Sequence, residues 1–444
     1  MQKICMMGTG YVGLVSGACF AHLGHSVICV DKDAGRIAAL KRGIMPIYEK
    51  DLKAMVDTAL EKESICFTTD PGEGVKKAGV IFITVGTPAD KTTGDPDLSH
   101  VFAVAEEIAD HMAEEYKVIV LKSTVPIGTA EIVENIIKTR NHYARFSVVS
   151  NPEFLREGFA VGDFLSPDRI VVGTSDDQSF HIMEKLYRPL TDQGYVLMRT
   201  DVTTANMIKY ASNSFLAMKI MFINELADMC EKAGSNVTDV ARGIGLDSRI
   251  GEKFLNPGPG FGGSCFPKDT LALERMAKKV GSPLKLVETV IAENNARRYK
   301  MLSKISGAFN NQLHNKSLAI LGITFKAETD DMRDSPSIGI LSELNLAGVK
   351  LHIYDPQGKK HGPEFFPYAT FHDSAREALK GADAAVILTE WSEFSELTAH
   401  DFKTLLKYPL VVDLRNMYSL EDMEGINYHS VGRKTVTISR ENAD

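Results

Sequence analysis

The chain has 444 residues, of which 44% are apolar and 24% are charged, and its formal net charge is −8. This length exceeds a single compact core, so we expect two or three globular domains. The acidic balance argues against a nucleic acid or a membrane surface as the main partner. The six cysteines are scattered and no apolar run is clean enough to cross a bilayer, which favours a reduced, cytoplasmic protein.

The first part of the chain alternates short β-branched runs with helix-length amphipathic segments. This alternation is typical of a parallel sheet covered by helices. Six runs have the composition of buried strands: KICMMG, SVICVD, GVIFITVG, KVIVLKST, RFSVVSN and RIVVG. We therefore predict an α/β domain of the Rossmann type over residues 1–200.

A glycine motif follows the first predicted strand. In GTGYVG, Gly8 permits a tight turn, Gly10 lets the backbone approach a pyrophosphate, and Gly13 allows close helix packing. The next strand ends at Asp31, placed to bind the ribose hydroxyls and to repel a 2′-phosphate. The motif predicts NAD as the cofactor, in preference to NADP.

Polar residues stand at the ends of three further predicted strands. Thr87 follows one strand, Thr124 follows the next, and Glu153 and Glu157 follow the third in SNPEFLREG. Open α/β sheets bind ligands at the carboxyl ends of their strands. We expect these four side chains beside the nicotinamide.

The region 201–306 is predicted to be helical. Its first helix contains no proline, and because apolar residues occupy nearly all its faces we expect it to be buried, either between domains or against a second subunit. Lys209 and Asn213 lie four residues apart and therefore on one face. Such a pair is suited to bind a substrate hydroxyl or a developing oxyanion.

The stretch GGSCFPKD within this region contains a candidate nucleophile. Pro267 suits the first turn of a helix, so Cys265 is expected just before a helix N-terminus, where a thiolate is favoured. Gly262 and Gly263 are expected to let the backbone come close to a ligand, and Asp269 is a proton acceptor one turn away. From these residues alone, Cys265 is either a packed thiol or a nucleophile.

A cysteine and a nicotinamide cofactor together indicate a particular chemistry. Oxidation of an alcohol gives an aldehyde, the thiolate adds to it, a second oxidation gives a thioester, and water releases an acid. Two other functions remain open. One is a single-step hydroxyacid dehydrogenase on the same fold, which needs no thiol. The other is a non-catalytic nucleotide-sugar or NAD-binding module, which needs none of these side chains.

The last region, 307–444, returns to α/β character. Four runs are predicted to be parallel strands with helices between them: KSLAILGITFK, VKLHIYDP, ADAAVILTEW and PLVVDLRN. The predicted fold is thus two Rossmann-like units joined by a long central helix.

Several strings along nearly the whole chain resemble the nucleotide-sugar dehydrogenases, that is, the UDP-glucose/GDP-mannose dehydrogenase family. They are GTGYVGL, VGTP, STVPIGT, NPEFLREG, KYASNSFLAMKIMFINE, DSRIGEKFLNPGPGFGGSCFPKD and GITFKAETDDMRDSPS. The resemblance implies NAD as cofactor and UDP-glucose as substrate, oxidised twice at C6, with a UDP-N-acetylhexosamine or GDP-mannose as the alternative substrate. It also implies a homodimer through the central helix, and no metal site is expected.

The resemblance further implies roles for single residues. Cys265 is the expected nucleophile, Lys209 and Asn213 the pair that stabilises the oxyanion, and Glu153 the base for thioester hydrolysis. Asp269 and Thr124 are expected to hold the catalytic water. The expected cofactor contacts are Gly8, Gly10, Val12, Gly13, Asp31, Arg36, Thr87, Thr124, Glu157, Lys268 and Arg333. The expected substrate contacts are Glu153, Phe154, Leu155, Glu157, Lys209, Asn213, Phe254, Leu255, Asn256, Pro257, Gly258, Gly262, Lys326, Arg415 and Arg249, the last reaching the neighbouring subunit's substrate.

Overall fold

The computed structural model describes residues 1–90 and 94–438, and it divides into two compact units. The first unit comprises residues 1–212 together with 271–282, and the second comprises residues 213–270 together with the chain from Pro283 onwards. The three regions proposed from the sequence, 1–200, 201–306 and 307–444, remain a prediction, and residues 439–444 of the last lie outside the described residues.

Within the described residues, the first unit contains an eight-stranded sheet in the order β3-β2-β1-β4-β5-β6-β7-β8. Neighbouring strands of this sheet pair in parallel, except β6 and β7, which meet through one antiparallel bridge between Ser150 and Gly173. The strands are β1 (Lys3–Met7), β2 (Ser26–Val30), β3 (Ile65–Thr68), β4 (Val80–Ile83), β5 (Lys117–Leu121), β6 (Phe146–Ser150), β7 (Ile170–Gly173) and β8 (Leu197–Thr200). The predicted α/β class is confirmed, and all six predicted strands are present.

Eight helices precede the central helix among the described residues: α1 (Tyr11–His22), α2 (Ala34–Leu40), α3 (Leu52–Glu61), α4 (Pro71–Lys77), α5 (Ser99–His111), α6 (Thr129–Arg140), α7 (Ala160–Leu165) and α8 (Asp177–Thr191). Helix α1 is buried from Gly13 to Ala21 because small residues let it lie close to the sheet. Its Phe20 ring packs 5.3 Å from that of Phe82 and 5.0 Å from that of Phe164. This aromatic contact fixes α1, and with it the glycine turn, on the sheet.

The connecting region is helical, as predicted. It consists of α9 (Val202–Ala233), α10 (Val237–Gly245), α11 (Phe266–Lys279) and α12 (Lys285–Ala308). None of the helices in the described part of the chain has both the length and the apolarity needed to cross a membrane.

Helix α9 keeps an exposed apolar stripe within the single chain. Phe215, Phe222 and Met229 are 58%, 52% and 64% exposed, and they recur every seven residues. Residues at this spacing form one stripe along a helix. The chain itself therefore does not cover this face, and its burial against a second subunit remains a prediction.

The second unit contains a six-stranded sheet in the order β11-β10-β9-β12-β13-β14, with every pairing parallel in the part of the chain described. The strands are β9 (Ser317–Leu321), β10 (Lys350–Tyr354), β11 (Thr370–Phe371), β12 (Ala384–Ile387), β13 (Leu410–Asp413) and β14 (Asn427–Ser430). The accompanying helices are α13 (Pro336–Leu346), α14 (Gly362–Phe365), α15 (Ala375–Leu379) and α16 (Ala399–Leu405), with 3₁₀ turns at Gly358–Lys360 and Ser392–Glu396.

Candidate active site

The turn between β1 and α1 has the geometry of a pyrophosphate cradle. A Cβ on Gly13 would lie 1.9 Å from the carbonyl oxygen of Gly8, so the turn closes only with glycine at position 13. A Cβ on Gly10 would meet no described atom within 4 Å, so the space next to it is open. The described residues supply no side-chain cap for α1 and no acid in its first turn. An uncapped helix N-terminus beside open space fits an anionic phosphate group.

Asp31 lies directly after β2, where a dinucleotide's ribose binds in this type of fold. Its carboxylate accepts hydrogen bonds from the backbone N–H and hydroxyl of Thr9, at 2.8 and 2.7 Å, and pairs with Arg36 at 3.1 Å. Burial alone would raise the pKa of Asp31, but the hydrogen bonds from Asp33 and Thr9 and the Arg36 charge lower it. The carboxylate therefore stays ionised, as a ribose acceptor requires. Val12, the remaining predicted contact of this turn, is half-buried in the first turn of α1.

The ends of β4 and β5 are joined by a side chain. The buried Thr87 hydroxyl donates to the carbonyl oxygen of Thr124 at 3.0 Å, so these two predicted residues are in contact. Glu157 is also buried, and the N–H of the following Gly158 donates to the Glu49 carboxylate at 2.6 Å. The loop after β6 is thereby fixed within the first unit.

Glu153 and Lys209 form a buried ion pair. The Lys209 ammonium lies 2.9 Å from Glu153 Oε1, and the side chains are only 3% and 5% exposed. Glu153 Oε2 accepts the Leu155 N–H at 2.6 Å. Burial alone would raise the pKa of Glu153, but the charges of Lys209 and Lys122 and these hydrogen bonds hold it below its ordinary value. The structure thus brings together two residues that the sequence named separately.

The Phe154 ring connects this ion pair to a second cation. Lys209 Nζ lies 5.5 Å from the ring centroid, and the Arg169 guanidinium carbon lies 3.6 Å from it. Both contacts are cation–π interactions, which hold the ring in place. Phe154, a predicted substrate contact, is therefore a fixed surface.

In the second unit, Asp269 contacts three other predicted residues, namely Asn213, Lys268 and Cys265. Helix α11 begins at Phe266, so Cys265 immediately precedes its N-terminus, as predicted, and its thiol is half-buried. Asp269 is 1% exposed and accepts from Asn213 Nδ2 at 2.6 Å and from Lys268 Nζ at 2.5 Å. The Asp269 N–H donates to the Cys265 carbonyl oxygen at 2.9 Å. The backbone hydrogen bond and the ion pair with Lys268 fix the start of α11.

The glycines before Cys265 contact protein. A Cβ on Gly262 would lie 2.2 Å from the carbonyl oxygen of Asp334, and one on Gly263 would lie 2.7 Å from the Phe325 ring. The Gly263 N–H donates to the carbonyl oxygen of Arg333 at 2.9 Å. The segment 325–334 thus occupies the Cβ positions of both glycines, which is a packing reason for glycine beside the predicted approach to a ligand. Contact of the Gly262 backbone with substrate remains a proposal.

The loop Phe254–Gly258 is held from both sides at Gly258. Asn224 Oδ1 accepts the Gly258 N–H at 2.8 Å, and Arg297 Nε donates to the Gly258 carbonyl oxygen at 3.0 Å. Phe254 has a φ of +66°, an unusual conformation for a residue with a side chain. Within this loop Leu255 and Pro257 are buried and Asn256 is exposed.

Of the four remaining cationic residues predicted in the second unit, two contact carbonyl oxygens or a ring and two are largely exposed. The Arg415 guanidinium donates to the carbonyl oxygens of Leu388 and Phe325, at 2.8 and 2.9 Å. Lys326 Nζ lies 5.8 Å from the Phe325 ring centroid. Arg333 and Arg249 are 63% and 87% exposed and pair with the neighbouring Asp331 and Asp247, respectively.

Three family models match most of the chain. They are those of the UDP-glucose/GDP-mannose dehydrogenase family: the NAD binding domain over residues 2–191, the central domain over 203–296 and the UDP binding domain over 319–420. The chain is 49% identical to UDP-glucose 6-dehydrogenase of Rhizobium meliloti over 97% of its length and 100% of that protein. It is 45% identical to the enzyme of the same name from Rickettsia bellii, over 98% of this chain and 100% of that protein. The solved structure of a UDP-glucose dehydrogenase from the archaeon Pyrobaculum islandicum is similar, with a TM-score of 0.90, 32% identity and 98% of each chain covered.

The chain belongs to the UDP-glucose/GDP-mannose dehydrogenase family. It is therefore an NAD-dependent dehydrogenase, and the cofactor predicted from the glycine turn is confirmed. No cluster of three or more His, Cys, Asp or Glu side chains suited to a metal ion lies within residues 1–90 and 94–438.

Several residues around this dehydrogenase site escaped the reasoning from sequence. Glu49 accepts hydrogen bonds from Tyr11 and from the backbone of the loop after β6, and Arg297 clamps Gly258. Neither has a local signal, because their partners lie more than 35 residues away. The sequence around Lys122 was misleading. A lysine at the end of an apolar strand run is expected to be exposed, whereas Lys122 is only 3% exposed.

We predict that Gly13→Ala weakens NAD binding at least about tenfold, because the new methyl group must displace the backbone of the glycine turn. Gly79→Ala is the matched control, since a Cβ at that position meets no described atom within 4 Å. Titration calorimetry with NAD measures both. Wild-type affinity in Gly13→Ala would show that the turn does not form the cofactor cradle.

Proposed function

We propose that the enzyme oxidises the C6 alcohol of UDP-glucose to the carboxylate of UDP-glucuronate in two successive steps. Relatives named for UDP-glucose at 49% and 45% identity support this substrate over a UDP-N-acetylhexosamine or GDP-mannose. The placement of Cys265 before α11 supports the covalent route. NAD bound at the glycine turn would accept one hydride in each oxidation, so a second NAD would have to replace NADH between the two steps.

In the first oxidation, Lys209 and Asn213 bind the C6 oxygen of the sugar. The alcohol loses one hydride and one proton and becomes an aldehyde. Lys209 is fixed by Glu153 and Asn213 by Asp269, so neither donor has to reorganise as negative charge develops on the oxygen.

Cys265 then forms the covalent intermediate. Its sulfur adds to the aldehyde carbon and the thiol proton passes to the oxygen, which gives a thiohemiacetal. Loss of a second hydride and of the hydroxyl proton gives a thioester on the same sulfur. The aldehyde therefore never leaves the enzyme.

Hydrolysis completes the reaction. Thr124 and Asp269 hold the water, and Glu153, which its surroundings keep ionised, accepts the water proton. Attack on the thioester carbon breaks the carbon–sulfur bond, releases the carboxylate and returns the thiol of Cys265. The other predicted contacts hold the two ligands: Phe154, Leu155, Phe254, Leu255, Asn256, Pro257, Gly258, Gly262, Lys326 and Arg415 the nucleotide sugar, Lys268 and Arg333 the cofactor, and Glu157 both.

We also propose that the active enzyme is a homodimer formed through the exposed stripe of α9. Phe215, Phe222 and Met229 present apolar surface that a second copy would remove from water. Arg249 supports the proposal further, because its side chain is 87% exposed and long enough to reach out from its own chain. We propose that it contacts the substrate of the neighbouring subunit.

We place the enzyme in the cytoplasm. None of the six cysteines, which all lie in the described part of the chain, forms a disulfide, as is usual in a reducing compartment. Both NAD and nucleotide sugars are available there.

We expect Cys265→Ser to reduce steady-state UDP-glucuronate formation by about a hundredfold or more, because the serine hydroxyl is a much weaker nucleophile. Binding of NAD and UDP-glucose should stay within about threefold of wild type. Cys66→Ser, which alters an exposed cysteine on β3, should keep full activity. Full acid production by Cys265→Ser would rule out the covalent route.

Arg249→Ala and Cys265→Ser together test the shared site. Each variant alone should be inactive, and mixing the two should restore activity, because one site of each mixed dimer has both residues. If subunits exchange at random, the recovered rate should reach about a quarter of the wild-type rate. The assay is NADH formation after co-refolding. No recovery in a preparation shown to contain mixed dimers would place Arg249 at its own subunit's substrate.

A further inference from the structure

A second ammonium group is buried close to the Glu153–Lys209 pair. Lys122 follows β5 and is 3% exposed, while Lys209 and Glu153 are 2% and 6% exposed. The three residues belong to the first unit. Charges in a medium that excludes water interact far more strongly than charges at a surface.

Lys122 is held beside the pair by an amide. Its Nζ donates to Asn151 Oδ1 at 3.2 Å, and Asn151 lies two residues before Glu153. Asn151 is itself fixed, since it donates to the Val171 carbonyl oxygen at 2.7 Å and accepts from Tyr187 at 2.6 Å. The position of the Lys122 charge is therefore set by a rigid network.

Several elements pack against the Lys122 ammonium. The rings of Phe82 on β4 and Phe164 on α7 each lie 5.9 Å from it. Helix α1 contributes Cys19, and Tyr187 of α8 donates to the same Asn151 oxygen as Lys122. Burial raises the pKa of both groups well above neutrality, so both are uncharged. The charges that act on it are those of Glu153 and Lys209.

Burial lowers the pKa of Lys122 to about 8, while Glu153 opposes this shift and Lys209 adds to it. The ammonium is therefore charged at neutral pH. In turn, it lowers the pKa of Glu153. The influence is mutual, as expected for coupled titrations.

We infer that Lys122 is a positioning residue whose charge sets the ionisation of the Glu153–Lys209 pair during the proposed reaction. This inference depends on the proposed function only for its kinetic consequence. Its charge keeps Glu153 a carboxylate, ready to accept the proton of water.

Removing the Lys122 charge must raise the pKa of Glu153, because the carboxylate then loses a nearby positive charge. Glu153 then takes up its proton at a higher pH, which moves the acid limb of the rate profile upward. Above about pH 8 Lys122 is already uncharged in the wild type, so the alkaline limb should not move.

The test compares the pH dependence of kcat in Lys122→Met and Lys117→Met. Lys117 is the matched control, because it is a buried lysine at the start of β5, the strand that Lys122 follows, and its Nζ donates to the Ala78 carbonyl oxygen. The acid limb in Lys122→Met should move upward by about one pH unit, and neither limb should move in Lys117→Met. An unchanged acid limb in Lys122→Met, or equal shifts in both variants, would overturn the inference.

A second measurement does not need activity. Double-mutant cycles in unfolding free energy pair Glu153→Gln with Lys122→Met and, separately, with Lys117→Met. Coupling in the first cycle and none in the second supports the inference; equal coupling contradicts it. If Lys122→Met does not fold, Lys122→Gln takes its place in both measurements, because it removes the charge but keeps a donor toward Asn151.

The two measurements separate the possible failures. A wild-type enzyme that does not oxidise UDP-glucose would end the proposed function, and the cycle would still decide whether Lys122 acts on Glu153. An active enzyme with an unchanged acid limb would leave the function standing and remove the role of Lys122.

Discussion

The buried ion pair between Glu153 and Lys209 is the interaction on which the rest of the site depends. Removing one member of such a pair costs about 3–5 kcal/mol, because the other charge is left without compensation in a medium that excludes water. The pair joins the loop after β6 to the first turns of α9, which are separated by more than 50 residues in sequence. Both side chains therefore have fixed positions and fixed charge before any substrate arrives, as electrostatic stabilisation of a transition state requires.

A second buried carboxylate has the same function in the other unit. Asp269 accepts from Asn213 and from Lys268, so its two oxygens hold an amide and an ammonium next to the start of α11. Cys265 precedes Asp269 by four residues and lies immediately before α11. The nucleophile is thus supported by a helix whose first turn is fixed by side chains as well as by backbone hydrogen bonds.

The cofactor turn was predictable because its chemistry is local. Gly8, Gly10, Gly13 and Asp31 lie within 24 residues of one another, and each has a steric or electrostatic reason to be there. The same holds for six of the strands of the first sheet. Strands β3 and β8 were missed because they lie at the two edges, are four residues long and include exposed positions, so neither has a continuous apolar run.

Contacts between distant segments were not predictable. The sequence explained Gly262 and Gly263 by a ligand, whereas the segment 325–334 fills the space at their Cβ positions. It gave no indication that Asn224 and Arg297 would clamp Gly258. Polar residues at the ends of strands indicated which side chains matter, but the bond from Lys209 to Glu153 required the fold.

The central claim is that one chain carries a sugar alcohol through two oxidations without releasing the aldehyde. Its most direct test counts NADH formed per nucleotide sugar consumed, with UDP-glucose, UDP-N-acetylhexosamines and GDP-mannose side by side and an aldehyde trap present. The account predicts two NADH per UDP-glucose, no trapped aldehyde and little turnover of the other sugars. One NADH per sugar, or an aldehyde caught in solution, would contradict it.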